Sequence, residues 1–380
     1  MLNEIKPLKI AFDAKRAFNN STGLGNYARF VIRSLVEYYP QHSYYLFTPK
    51  VSRAYDDFLL NCSNVHRVTP QSIAGKIFPS LWRTYAISNI CNQLGIDVYW
   101  GLSNELPLGI QQFKGKKIVT IHDLIFLRYP RYYNLIDRFI YQRKFSYATR
   151  VADQIVAASN QTAHDLVTYF ATPRQKIQTV YQDCNSIFRQ NTDEQADMAV
   201  LSKLQLQKQQ YILCVGTIES RKNQEVVLQA FHKASFTDMK LVFVGRKTSY
   251  ASKLMAYINT YHLSDQVVFM DALSHQDLPA LYRMAYVSVY ASRFEGFGIP
   301  ILEAMRCGVP VIAAATSSLV EVGGEACSYF SADDVQELTR LLVGFTNPQL
   351  REAVVGKGLA QAALFNTEAI VGQLAGMLNK

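Results

Sequence analysis

Short apolar runs separated by amphipathic stretches recur along the whole chain. In the first half the runs LKIAF (8–12), YYLFT (44–48), IDVYW (96–100), KIVTI (117–121) and QIVAA (154–158) are too short for helices and rich in branched or aromatic side chains, which predicts strands. Between them, stretches 26–38 and 134–151 predict helices. Strands that alternate with helices imply a parallel sheet covered on both faces. The pattern lapses over 189–210, RQNTDEQADMAVLSKLQLQKQQ, a polar and Gln-rich stretch that predicts a linker. It restarts with YILCVG (211–216) and continues through KLVFVG (240–245), QVVFM (266–270), YVSVY (286–290) and VPVIA (309–313), a second doubly wound sheet. At 380 residues the chain exceeds the ~250–300 at which a single core stops growing, so two α/β domains are expected.

Composition narrows the class. With 49% apolar and 18% charged residues the chain is not disordered. Cys62, Cys91, Cys184, Cys214, Cys307 and Cys327 are scattered singly, with no C-x-x-C pair, which predicts reduced, buried thiols. The N-terminal MLNEIKPLKI lacks a basic-then-apolar signal pattern, and runs such as VPVIAAA (309–315) fall short of the ~18 residues needed to span a bilayer. A cytoplasmic protein, peripheral on the inner face of the cell membrane, is the expectation. Residues 1–185 hold 22 of the 39 basic side chains but 12 of the 30 acidic ones, a surplus of +10, while the remainder carries −1. No zinc module, recognition helix or RNP-like aromatic motif accompanies that surplus, so nucleic acid is not expected, and an anionic membrane surface or anionic acceptor is.

Four stretches carry candidate chemistry. EGFGIPILE (295–303) follows a strand and opens a helix: Pro300 suits a first helical turn, and the glycines permit close backbone approach. Glu295 and Glu303 then flank a helix N-terminus, able to accept from hydroxyls while free N–H groups receive phosphate or sugar oxygens; alternatively both only complement the helix dipole. GTIESRKNQ (216–224) puts Arg221 beside Lys222 where a strand gives way to a helix. Such a pair can stabilise a departing diphosphate without metal, and the chain has no D-x-D motif to bind one; a solvated turn is the plain alternative. STGLGNYARF (21–30) matches G-x-G-x-x-A, but its first glycine trails the strand by about ten residues and no acid ends a second strand, against a dinucleotide dehydrogenase. A glycine loop facing phosphate or sugar is expected instead. His122 and Asp123 end the strand KIVTI, where open α/β sheets place ligand contacts, the alternative being a structural His and an Asp that caps the next turn; Asn104 is a weaker candidate for acceptor contact. Ser317 and Ser318 read as a turn or helix cap.

Together these stretches resemble the retaining glycosyltransferases of family 4, a GT-B family of two Rossmann-like domains facing across a cleft. TIHDLIFLRYP (120–130), GTIESRKN and SSLVEVGGEA (317–326) look like its bacterial surface-polysaccharide and glycolipid members. The resemblance implies that Arg221 and Lys222 hold the donor diphosphate, Glu295 a sugar hydroxyl and Glu303 the ribose. It places Phe297, Gly298 and Ile299 at the sugar and phosphates, Gly23 and Gly25 in the cleft, and His122 near the reacting carbon. Asn104 and Asp123 then belong to the acceptor side. The family pattern is broken at VYQDCNSIF (180–188), where Asp-Cys-Asn replaces a Gly-Val-Asp type sequence, and at Ser220, where a Pro is usual. The implied layout is an acceptor domain over 1–185, a nucleotide-sugar domain over 186–363, and a tail, 364–380, crossing back. The implied reaction is retaining and metal-independent transfer of a hexose from UDP-hexose or GDP-mannose to a lipid or lipid-linked glycan, with no cofactor. A soluble sugar acceptor, or a non-catalytic nucleotide-sugar-binding subunit, is the alternative.

Overall fold

The computed structural model describes residues 6–189, 193–271 and 273–378. The chain divides into two compact units, the first running through Gln182 and resuming at Asn366, the second spanning Asp183–Phe365. Unit 1 holds β1 (Lys9–Asp13), β2 (Ser43–Phe47), β3 (Val65–Val68), β4 (Val98–Gly101), β5 (Lys116–Ile121), β6 (Gln154–Ala157) and β7 (Ile177–Thr179), in one parallel sheet ordered β3-β2-β1-β4-β5-β6-β7. Period-two alternation divides its side chains between two cores. Ile10, Phe12, Tyr44, Leu46 and Trp100 face the helix Gly23–Tyr38 and the last helix, Thr367–Gly376, through Val31, Leu35, Val371 and Leu374. Ala11, Phe47, Tyr99, Val119 and Ile155 face the other way, against Cys91, Phe145 and Leu166 of helices Ile87–Leu94, Leu135–Val151 and Asn160–Phe170. The buried Trp100 indole meets its one polar need by donating to Thr120 Oγ1 at 3.0 Å.

Unit 2 repeats the plan with β8 (Tyr211–Val215), β9 (Lys240–Val244), β10 (Val267–Met270), β11 (Val287–Tyr290), β12 (Val311–Ala314) and β13 (Ser328–Phe330), ordered β10-β9-β8-β11-β12-β13. In each sheet the chain builds outward one way from a central strand, then returns to its other side. The switch lies between β1 and β4 in unit 1 and between β8 and β11 in unit 2, and ligands of doubly wound sheets bind at the C-terminal ends of such a pair.

Two expectations are corrected. The polar stretch 189–210 contains the helix Glu194–Lys203, capped by Asp193 and tied to unit 2 by Asp197, which takes two hydrogen bonds from Arg283 at 2.5 and 2.6 Å; its residues 190–192 lie outside the described set. Leu201 of the same helix and Leu206 beyond it are buried as well, so the few apolar residues of the stretch pack beside that ion pair. Gly23 and Gly25 form the first turn of the helix Gly23–Tyr38 instead of a loop, and the short helix Lys15–Asn19 fills the gap after β1. Trp82, Ala86 and Ile90, at helical spacing, pack into the core, and the same segment turns Leu81 and Tyr85 outward. All six cysteines are free, five of them buried and Cys62 half-buried.

Candidate active site

Unit 2 gathers three of the predicted residues at its switch point. After β8 the turn Ser220–Lys222 presents Arg221 and Lys222; after β11 the loop returns Glu295. Glu295 Oε1 accepts from Arg221 NH1 at 2.8 Å and from Lys222 Nζ at 2.6 Å. Arg221 also donates to Glu219 Oε1 at 2.6 Å and to the Phe294 carbonyl at 2.9 Å, so its guanidinium is fixed on two sides. Lys222 Nζ donates to the Tyr290 hydroxyl at 2.6 Å. Burial pushes the Glu295 carboxyl up, but two cations against one oxygen outweigh it and bring the group down to about 2. Lys222 does not mirror this: burial pulls its ammonium below the usual range against the pull of a carboxylate it shares with Arg221. The site is therefore a preorganised cationic pair with a permanently ionised acceptor between them.

The backbone around Glu295 is clamped. Ser317 Oγ accepts from the Glu295 N–H at 3.0 Å and Ser318 Oγ donates to its carbonyl at 2.9 Å. Arg293 donates to the Ser220 carbonyl at 3.0 Å and pairs with Asp333 at 2.5 Å, sewing the two loops together. Gly298 caps the helix Ile299–Arg306 with φ +116°, a conformation side chains rarely adopt, and a Cβ there would crowd Leu319. Half-buried Ile299 opens that helix, while the Phe297 ring is buried edge-on to Phe365 at 5.8 Å, leaving its backbone as the part that can face a ligand. Glu303 stands apart from the cationic cluster: its Oε2 accepts from Tyr282 at 3.1 Å, and burial lifts it to about 7 against that hydrogen bond. Neither glutamate serves only the helix dipole.

In unit 1 His122 follows directly on β5, buried, with its ring edge-on to Tyr27 at 4.6 Å and Nε2 2.9 Å from the Leu102 carbonyl. A carbonyl only accepts, so Nε2 carries the proton and Nδ1 is the acceptor face of a ring that burial holds neutral, down to about 4. Asn104, at φ +64°, spends its Oδ1 on the His122 N–H at 2.7 Å and so positions that strand end. Asp123 Oδ1 caps the next turn through the Ile125 N–H at 3.1 Å. Gly23 is exposed at the first turn of its helix, and Gly25 is buried against Asn20, whose carbonyl a Cβ would overlap. Tyr290, Tyr282 and Arg293 are the participants that sequence reasoning missed, and Ser317 and Ser318, read as a turn or cap, hold the Glu295 backbone instead. Tyr290 carried a usable signal, its place at the C-terminal end of a strand, the same one that singled out His122.

Sucrose-phosphate synthase from Thermosynechococcus elongatus shares this fold with a TM-score of 0.78 at 20% identity, covering 97% of this chain and 98% of that one. Two doubly wound sheets of this form, each with its own switch point, make this a protein of GT-B fold. Residues 21–182 match the model of Glycosyltransferase Family 4, and residues 201–342 that of Glycosyl transferases group 1. The O-antigen chain mannosyltransferase B of Escherichia coli is 31% identical over 276 residues, 71% of each chain. The serotype-specific mannosyltransferase WbdA of Escherichia coli is 28% identical over 75% of this chain and 36% of its own length. The chain belongs to glycosyltransferase family 4, among bacterial surface-polysaccharide enzymes.

Proposed function

We propose that this glycosyltransferase moves a mannosyl residue from GDP-mannose, with retention and without metal, to a lipid or lipid-linked glycan acceptor at a membrane face. The observation that carries the reading is the cluster of Arg221, Lys222 and Glu295. Cations fixed before the reaction stabilise charge on a departing diphosphate without reorganising, the role a metal plays elsewhere. Glu295 accepts from a sugar hydroxyl, Glu303 from the ribose, and neutral His122 accepts near the reacting carbon through Nδ1. The acceptor oxygen bonds to C1 as the C1–O bond to the diphosphate breaks on the same face, and the acceptor proton passes to the departing diphosphate. A covalent role for Glu295 is disfavoured, because the oxygen nearest the cations already accepts two charge-assisted hydrogen bonds. Mannose is favoured over the UDP-hexoses by the names of both reported sequence relatives.

Support for a membrane face comes from unit 1. Among the described residues no helix is long and apolar enough to cross a membrane. The helix Leu135–Val151 nevertheless exposes Leu135 (77%), Ile136 (73%) and Phe139 (55%), with Arg143 stacked over the Phe139 ring at 4.4 Å. Apolar residues standing out beside basic ones suit an anionic leaflet. The test of the donor site is GDP release from saturating GDP-mannose in the presence of cell-membrane acceptor. Arg221→Ala is expected to lower turnover about a hundredfold, as losing one preorganised donor at a developing anion costs about 2.7–4 kcal/mol. Turnover within a few-fold of the parent overturns the diphosphate role, and a parent that binds GDP-mannose yet releases no GDP is a binding subunit instead.

A further inference from the structure

We infer that Tyr290 is a positioning residue for the donor site, a neutral post that holds the Lys222 ammonium toward the leaving diphosphate without cancelling its charge. The role rests on the reading of Lys222 as a diphosphate ligand.

Lys222 is held at two points, Glu295 Oε1 and the Tyr290 hydroxyl, each at 2.6 Å. The two holds differ in kind. Glu295 offsets the positive charge, shares the oxygen concerned with Arg221, and takes a sugar hydroxyl when the donor is bound. Tyr290 does none of this. Its phenol is buried at the end of β11, and burial, followed by the neighbouring Glu295 charge, pushes its ionisation well above the usual range. It stays neutral, so it directs Nζ and leaves the full positive charge for the phosphates. The ring adds a second constraint, since Nζ also lies 4.8 Å from its centroid.

A long lysine stem needs such a post. Lys222 sits on a single turn, Ser220–Lys222, and its flexible four-carbon stem has many rotamers to lose. With Glu295 as its only hold, the ammonium falls back onto a carboxylate when the phosphate requires it elsewhere. The post is itself rigid: Tyr290 belongs to a strand paired with β12, while Lys222 and Glu295 stand on loops. One bond thus fixes a mobile cation to the sheet at the switch point.

The experiment is a double-mutant cycle on the full chain with Tyr290→Phe, Lys222→Met and the pair, read as GDP release from GDP-mannose with membrane acceptor. Melting temperature is followed alongside. Tyr290→Phe keeps the ring and removes the hydroxyl that accepts from Lys222 and also bonds Glu295, so kcat is expected to fall about tenfold at little change in melting temperature. In the Lys222→Met background the same change is expected to do nothing further. An unaffected Tyr290→Phe beside a crippled Lys222→Met overturns the role alone. So does a Tyr290→Phe loss that persists undiminished in the Lys222→Met background, which marks a packing effect. A fully active Lys222→Met overturns the diphosphate reading and this role with it.

Discussion

Glu295 and Glu303 stand eight positions apart on one loop and helix, yet their surroundings set them to opposite protonation behaviour. Glu295 touches two cations and is held at about 2, so it is ionised at any pH the enzyme meets. Glu303 accepts from a buried phenol and is lifted by burial to about 7, so it gains and loses its proton near neutrality. A carboxylate accepts from two ribose hydroxyls where a carboxylic acid accepts less well, and GDP affinity is therefore expected to tighten as pH rises from 6 to 8. Glu303→Gln should remove that part of the slope and leave what the nucleotide phosphate contributes. Calorimetric titration of GDP into both proteins checks it, and equal slopes in the two contradict the assignment. The sign extends to stability: the raised pKa makes an ionised Glu303 a cost to the folded state, absent below about 4.3, the ordinary glutamate value, and complete above 7. Both glutamates were legible in the sequence from their place around a helix start. Their division was not, because it depends on Arg221, Lys222 and Tyr282, which the fold brings in from other turns.

Strands with an apolar run were legible, and the strands that escaped share a location. β3, β7 and β13 all lie at sheet edges, where one side of the strand pairs with nothing and fewer side chains are buried. His66 and Arg67 in β3, and Gln178 in β7, give no apolar run to read. The start of the helix Gly23–Tyr38 escaped for a related reason: glycines signal turns, yet here Gly25 is required by the close approach of Asn20 inside a first turn. For the helix Leu135–Val151 the start was legible, and Asn134 caps it by accepting from the Asp137 N–H at 2.8 Å. Its first two turns point Leu135, Ile136 and Phe139 outward, a cost that an aqueous surface does not repay. Sedimentation with phosphatidylglycerol vesicles is expected to pull the protein down at low salt, with release as ionic strength rises. Replacing Leu135, Ile136 and Phe139 by Ser should weaken binding without lowering the melting temperature, since none of the three is buried. Binding no stronger than to neutral vesicles contradicts the membrane role.

At the scale of the whole molecule, two sheets with the same switch-point plan carry different chemistry. Unit 2 sets cations and an ionised carboxylate there; unit 1 sets an ion network in which Arg83 bridges buried Asp13 at 2.5 Å and Glu105 at 2.6 Å, with Lys144 on Glu105 at 2.8 Å. The first-half charge surplus was legible as a number, but its arrangement needed the crossing of β1, β4 and the helices around them. The central claim concerns the reaction of the full chain: a mannosyl group leaves GDP with its configuration kept, its departing charge borne by Arg221 and Lys222 alone. The most direct test is the anomeric configuration of the product formed from GDP-α-mannose in EDTA, read by proton and carbon NMR of the new linkage. The account predicts an α-mannoside formed at the rate seen without EDTA; a β-mannoside, or a rate that collapses until Mg²⁺ or Mn²⁺ is restored, contradicts it.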